Sequence, residues 1–279
     1  MPKQLLPLAG RADEPLIAAT ARRIEPIVPP DCQWVATAAG LADATAQALP
    51  RVPRSHVLAE PVARNTAACI GWASATIARV DPEAIVAVLP ADHFIEDEAA
   101  FRDVLARALA VADEGWLTTI GIVPTRADTG YGYIEVGTRI ADGANAAVRF
   151  VEKPDLERAQ SFVTGGRHLW NAGMFFCRVS VMRDAIAKHL PALAAGLHRI
   201  DAAAARGDEA GALAEVFPTL PSISFDSGVM EKADHVAVVP GRFGWNDVGS
   251  WATTWEMAAR DERGNALPAG TVAIQATNN

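Results

Sequence analysis

Short apolar runs alternate with alanine-rich, helix-compatible stretches from residue 15 to residue 123, and this alternation restricts the chain to an α/β architecture. Residues 33–37, 57–59, 84–89 and 118–123 read as short buried strands, and residues 15–23, 41–49, 66–80 and 98–113 as the helices between them. Strands separated by helices predict a parallel, doubly wound sheet with helices on both faces. Ligands in such sheets sit at the carboxyl ends of strands, and Leu89-Pro90-Ala91-Asp92 lies at one of those ends. After Ile122 the pattern changes. Residues 133–136, 146–152 and 175–177 have strand character, residues 156–164 and 179–189 look helical, and together they predict a mixed sheet extension carrying the second half of a site. Residues 202–211, rich in alanine and glycine, predict a helix pair with a mobile connection.

With 279 residues, 50% of them hydrophobic, the chain can bury one large α/β core or two smaller ones, and without a Pro/Gly/Ser linker one is favoured. A formal net charge of -8 gives no broad attraction to nucleic acid or anionic membrane, though a local cluster of Arg, Lys and backbone amides can still hold a nucleotide. Cys32, Cys69 and Cys177 are odd in number, far apart and without CxxC or Cys/His spacing, so they read as reduced thiols suited to the cytoplasm. Prolines interrupt Met1-Pro2-Lys3-Gln4-Leu5-Leu6-Pro7 before a signal-like core forms, and no apolar run is long enough to span a bilayer, so neither export nor a membrane partner is expected.

Several motifs join an apolar run to a Gly, Asn or carboxylate, as expected where a buried strand opens into a binding loop. Asp92 follows the apolar run ending at Leu89; a hard cation such as Mg2+ takes one or two protein carboxylates, but a turn or helix-capping Asp is an equal reading. Asp247, in Trp245-Asn246-Asp247-Val248-Gly249-Ser250-Trp251, lies among enough aromatic mass to suggest a pocket rim, or else caps a helix starting near Trp251. In Glu60-Pro61-Val62-Ala63-Arg64-Asn65-Thr66, Asn65 or Thr66 is a natural N-cap. Beyond that, the Glu60 carboxylate can accept from the N1 and N2 edge of guanine, and Arg64 offers a planar donor fork. In Thr129-Gly130-Tyr131-Gly132-Tyr133 the glycines allow close backbone approach to a ligand, or simply a tight turn. Glu152-Lys153 before Pro154 pairs an acceptor for vicinal hydroxyls with a cation for phosphate, or forms an exposed salt bridge. Asn171, in Trp170-Asn171-Ala172-Gly173-Met174-Phe175, places an amide in an apolar tract, as a ligand group or as a buried structural Asn.

The joint order of these six motifs across Glu60 to Trp251 resembles the sugar-1-phosphate nucleotidylyltransferases, and the Arg-Asn-Thr and Trp-Asn-Asp-Val-Gly-Ser-Trp wording is similar to their mannose-1-phosphate guanylyltransferase branch. The resemblance implies a Rossmann-like, doubly wound mixed sheet of the nucleotide-diphospho-sugar transferase (GT-A-like) type. It implies a catalytic domain over residues 1–265 followed by the start of a C-terminal segment at 266–279. It implies an enzyme that uses Mg2+ to make GDP-mannose and pyrophosphate from GTP and α-D-mannose 1-phosphate, with a homodimer as the expected assembly. By the same resemblance Glu60, Arg64 and Asn65 contact the guanosine, and Gly132, Glu152 and Asn171 contact the mannose. Lys153 meets the sugar phosphate, Lys3 in Pro2-Lys3-Gln4-Leu5-Leu6-Pro7-Leu8 faces the phosphates, and Asp92 with Asp247 holds the metal.

Ala127, Asp128 and Ala172 depart from the family wording, where Pro, Glu and Ser are usual. Family members also carry, just upstream of Pro-Lys-Gln, a strand and a glycine-rich loop that cradles the triphosphate. Without that strand the sheet is expected to lack a central member. Two other functions keep the same motifs: a nucleotidylyltransferase for another sugar or base, such as glucose 1-phosphate with UTP, and a non-catalytic sugar-nucleotide-binding paralogue or fragment. Retention of both Asp92 and Asp247 weighs against the second.

Overall fold

In the computed structural model, which describes residues 2–8, 14–249 and 263–265 with the single positions 271, 274 and 277, the alternation read from the sequence becomes alternating strands and helices. In chain order these are α1 (Leu16–Ile24), β1 (Val35–Ala38), α2 (Ala42–Ala48), β2 (Val57–Glu60), α3 (Asn65–Val80), β3 (Ile85–Val88), β4 (Phe94–Ile95), α4 (Glu98–Asp113), β5 (Leu117–Ile122) and β6 (Tyr133–Ala141). They continue with β7 (Ala144–Val151), α5 (Leu156–Gly165), β8 (His168–Arg178), α6 (Val179–His189), α7 (Pro191–Ala204), α8 (Glu209–Val216), β9 (Val236–Gly241) and β10 (Trp245–Asn246). Most of the tract 266–279 and the helix expected near Trp251 lie outside the described residues.

Local chemistry sets the helix ends. Asp97 caps α4 by accepting from the amides of Ala99 and Ala100, and the helix buries Phe101, Val104, Leu105, Ala108, Val111 and Ala112, a stripe at three- and four-residue spacing. Asp155 caps α5 through the Arg158 amide, and Gly166, at φ 66°, ends that helix in the left-handed conformation that costs a glycine least. Pro191 opens α7 at a position where its missing N–H costs nothing. The helix pair expected over 202–211 is the end of α7 and the start of α8, joined by a turn in which the Asp208 amide donates to the Ala203 carbonyl at 3.0 Å.

Six strands form one mixed sheet in the order β3-β8-β5-β9-β7-β6. Strand β8 runs antiparallel to β3 and β5, and β9 runs parallel to β5. All six residues of β5 are buried, as expected for a strand covered on both faces. The period-two alternation of β8 sends Phe175 and Cys177 into one core with α3, α6 and α7, and Met174 and Phe176 into a second core with α4. The sheet is therefore mixed and wound with helices on both faces.

The expectation of a parallel first half holds only for β1 and β2, which pair in parallel as a separate two-stranded sheet. Strand β3 does not join them. Its edge is taken by β8, which spans eleven residues and also reaches β5 and β6 along its length. Between β1 and β3 lies a cavity of about 510 Å³, lined by Val35 and Ala36 of β1, Val86 and Val88 of β3, Ile17 of α1 and Ile70 of α3. Neither of these facing strand edges is paired across the gap among the described residues.

Cys32, Cys69 and Cys177 are free thiols. Among the described residues no helix is long and apolar enough to cross a membrane.

Candidate functional site

The turn after Pro2 brings Lys3 onto two distant loops. Its ammonium lies 2.9 Å from Asp92 Oδ2 and donates to the backbone carbonyls of Asp247 at 2.7 Å and Val248 at 3.2 Å. Asp92 follows β3 and Asp247 follows β10, which pairs antiparallel with β4, so a two-strand clip carries the Asp247 loop to the end of β3. Asp247 Oδ1 accepts from Tyr131 Oη at 3.0 Å and from the Gly249 amide at 3.1 Å. Lys3, named through the resemblance, thus brings the Asp92 carboxylate and the backbone of the Asp247 loop, which sequence chemistry alone left as separate turns or caps, to one place.

An aromatic wall flanks this centre. Tyr131 packs edge-on against Trp170 and Trp245, with ring centroids 5.1 Å apart in each case, and Trp245 meets the His93 ring at 5.3 Å. Trp245 Nε1 donates to His93 Nδ1 at 3.1 Å, leaving the imidazole proton on Nε2. Burial pushes His93 down to about 4, outweighing the nearby carboxylates of Asp92 and Asp247, so the ring stays neutral at physiological pH. Burial, followed by the charge of Asp247, pushes the Tyr131 hydroxyl above its ordinary range, which keeps it a donor. The aromatic rim expected around Asp247 is present in Trp245; Trp251 lies outside the described residues.

A second group gathers at the end of β2 and the start of α3. Glu60 Oε1 is buried without a partner, burial raises the carboxyl above the usual range, and the Cys69 thiol hydrogen-bonds to the carboxyl group. Asn65, at φ 61°, is the first residue of α3 and accepts the Thr66 amide on its side chain at 2.8 Å; the N-cap itself is Arg64, whose side chain makes no capping bond, so the expected cap at Asn65 or Thr66 is not formed. The Thr66 hydroxyl does not cap; it accepts the Phe225 amide at 2.8 Å. Arg64 donates to the Pro218 carbonyl, so its guanidinium ties α3 to the segment after α8, while its Nε is buried and unpartnered.

The third group sits on β6, β7 and β8. The backbone N–H of Asn171 donates to the Gly132 carbonyl at 2.8 Å, and a Cβ on Gly132 would lie 2.6 Å from Glu152 Oε2, so only glycine fits there without displacing the carboxylate. These three residues, 132, 152 and 171, therefore converge. Partial burial raises the Glu152 carboxyl, an effect that Lys153 opposes from 3.7 Å. Lys153 is largely exposed, as an ordinary surface ion pair would be, yet its φ of 41° is unusual for a residue with a Cβ. Among the described residues, the non-glycine positions with positive φ are Asn65, Lys153 and Val248, and each lies in one of these loops.

Sequence reasoning missed Tyr131, His93 and Asp226. Tyr131 lay inside a quoted motif and His93 directly after one, but nothing in the spacing says that they touch Asp247 and Trp245. Asp226 lay in no motif, and its contact with Asn171 depends on a π-helical turn at Asp226–Met230.

Oxygen donors on Asp92 and Asp247, with an ammonium already drawn to that place, suit a hard cation completing its shell with phosphate and water. Among the described residues no group of three or more His, Cys, Asp or Glu side chains could hold a metal alone.

A model of the nucleotidyl transferase family matches residues 1–264. The chain is 39% identical over 285 residues to the xanthan biosynthesis protein XanB of Xanthomonas campestris pv. campestris, covering 99% of this chain and 59% of XanB. It is 39% identical over 217 residues to the mannose-1-phosphate guanylyltransferase of Klebsiella pneumoniae, covering 76% of this chain and 46% of that protein. The chain thus spans 59% and 46% of the length of these two relatives. A solved structure described as mannose-1-phosphate geranyltransferase from Thermus thermophilus superposes with TM-score 0.79 at 37% identity, covering 90% of this chain and 71% of that one. A UDP-glucose pyrophosphorylase from Acinetobacter, at TM-score 0.54 and 15% identity, shares the fold.

Proposed function

Because the chain belongs to the nucleotidyl transferase family, we propose that it carries the catalytic part of a mannose-1-phosphate guanylyltransferase acting in the cytoplasm. The observation that carries this reading is the meeting of the Asp92 carboxylate and the Asp247 backbone carbonyl on the Lys3 ammonium, at the strand ends where a sheet of this kind binds its ligands.

In the reaction, a phosphate oxygen of α-D-mannose 1-phosphate bonds to the α-phosphorus of GTP. The bond from that phosphorus to the bridging oxygen breaks, and pyrophosphate leaves with the electron pair, so no covalent enzyme intermediate is needed. Mg2+ held by Asp92 and Asp247 supplies neutralisation of phosphate charge when bound. Lys3 adds a cation at the same place, and Tyr131 fixes one oxygen of Asp247 so that the carboxylate keeps one orientation. Lys153 meets the sugar phosphate, and Gly132, Glu152 and Asn171 hold the sugar hydroxyls. Glu60 accepts from guanine N–H groups through its carboxylate at the end of β2, while Arg64 and Asn65 shape the same end.

The test is pyrophosphate release from a panel of nucleoside triphosphates and sugar 1-phosphates. Preference for GTP with mannose 1-phosphate is expected. Preference for another pair would keep the chemistry but move the specificity, and binding of GDP-mannose with no turnover of any pair would overturn the enzyme reading.

A further inference from the structure

We propose that Asp226 is a positioning residue that fixes the amide of Asn171 for recognition of a sugar hydroxyl; the role rests on the sugar-site reading above. Asn171 Nδ2 donates to Asp226 Oδ1 at 2.6 Å, and Asn171 Oδ1 accepts the Gly173 amide at 3.1 Å. The backbone amide of Asn171 is used on Gly132. A primary amide has two N–H groups and two lone pairs. Each heteroatom of the Asn171 side chain is engaged once, so one donor and one acceptor remain, and the Asp226 and Gly173 bonds decide where they point. A flip of the amide would set its oxygen against the Asp226 carboxylate and its NH2 against the Gly173 N–H, so the protein selects one orientation.

Asp226 is itself held from several sides. It opens a π-helical turn whose Gly228, Val229 and Met230 are buried, and such turns occur often at functional sites. The preceding residues are pinned to the first turn of α3, with the Phe225 amide on Thr66 Oγ1 at 2.8 Å and the Ala67 amide on the Ile223 carbonyl at 3.1 Å. The Phe225 ring packs on Phe175 of β8 with centroids 5.0 Å apart. One segment, 223–226, therefore joins the helix start that carries Asn65 to the strand that carries Asn171. Burial raises the Asp226 carboxyl, and the bond from Asn171 opposes that shift.

The experiment measures the Kd of mannose 1-phosphate and of GTP separately by calorimetry, with the melting temperature of each variant. Asn171→Ala should weaken mannose 1-phosphate binding about tenfold or more; if it does not, the sugar-site reading fails. Given that loss, Asp226→Ala should weaken mannose 1-phosphate by a comparable factor and leave GTP within about twofold. Asp226→Asn, which keeps an acceptor of the same shape, should restore most of the affinity. Unchanged mannose 1-phosphate binding in Asp226→Ala, beside a clear loss in Asn171→Ala, would overturn the proposal. Should Asp226→Ala fail to fold, the exchange of Asn171→Asp with Asp226→Asn keeps a hydrogen bond between the two positions but leaves position 171 only acceptors. It should melt with the parent chain and bind mannose 1-phosphate poorly, and parental affinity in that exchange would overturn the role.

Discussion

Tyr131 and Asp247, separated by 116 positions, meet through a 3.0 Å hydrogen bond from the phenol to Oδ1 of the carboxylate. The same oxygen accepts the Gly249 amide, so one side of Asp247 is saturated by the protein and Oδ2 is the side left for a ligand. Removing the phenol would leave a carboxylate with one fixing bond instead of two. Tyr131→Phe, which keeps the ring against Trp170 and Trp245, should lower kcat about tenfold, in line with loss of a hydrogen bond to a charged group. Pyrophosphate release at saturating substrates checks this, and a kcat equal to that of the parent chain would show that the bond is only structural.

Substitution at the acids themselves should be more severe. On the proposed reading, Asp92→Asn and Asp247→Asn weaken the hold on the cation that would offset negative charge developing in transfer, so kcat should fall by much more than mannose 1-phosphate affinity, by about 10²-fold or greater. Steady-state kinetics beside calorimetry separates the two quantities. Equal losses in binding and turnover would assign these acids to substrate binding alone.

Glu60 yields a paired expectation for specificity and for stability. If Glu60 meets the guanine as proposed, Glu60→Gln replaces a carboxylate acceptor with an amide, and the gap between GTP and ATP in kcat/KM should narrow. In the free protein, burial raises the Glu60 pKa, so the folded state disfavours the ionised form. Its penalty on stability is therefore absent below the unfolded-state pKa, grows as pH rises towards the raised folded value, and stays constant above it. Glu60→Gln should thus melt above the parent chain at pH 7, with the difference shrinking towards pH 4. Melting curves across that range test the sign, and a variant less stable at pH 7 than at pH 4 relative to the parent would reverse it.

The gap between β1 and β3 makes a prediction about the sheet. Its cavity of about 510 Å³ has largely apolar walls and, among the described residues, an unpaired strand edge on either side, the setting in which an added strand gains both backbone bonds and burial. A form of the chain carrying an apolar strand and a glycine-rich loop ahead of Pro2 should melt at higher temperature. It should also turn over faster by about 10²-fold, because such a loop brings preorganised donors to the reacting phosphate. Calorimetric melting and pyrophosphate release on both forms decide this. Equal turnover would leave the chemistry to Lys3, Lys153 and the acids.

By itself the sequence determined the local elements and the inventory of chemical groups. The spacing of Phe101, Val104, Leu105 and Ala108 sets the buried face of α4, Asp97 and Asp155 set helix starts, and the apolar run before Asp92 sets a strand end, because each depends on neighbours a few positions away. Tertiary structure alone decided which groups meet. Lys3 reaches the Asp247 carbonyl across 244 positions, and Asp226 reaches Asn171 across 55. It also decided that β3 pairs with β8 rather than with the β1–β2 sheet. Strand partners and side-chain pairings of that kind are chosen by which arrangement buries both faces of the sheet and satisfies its edges at once, a condition on the whole chain that no short stretch of sequence contains.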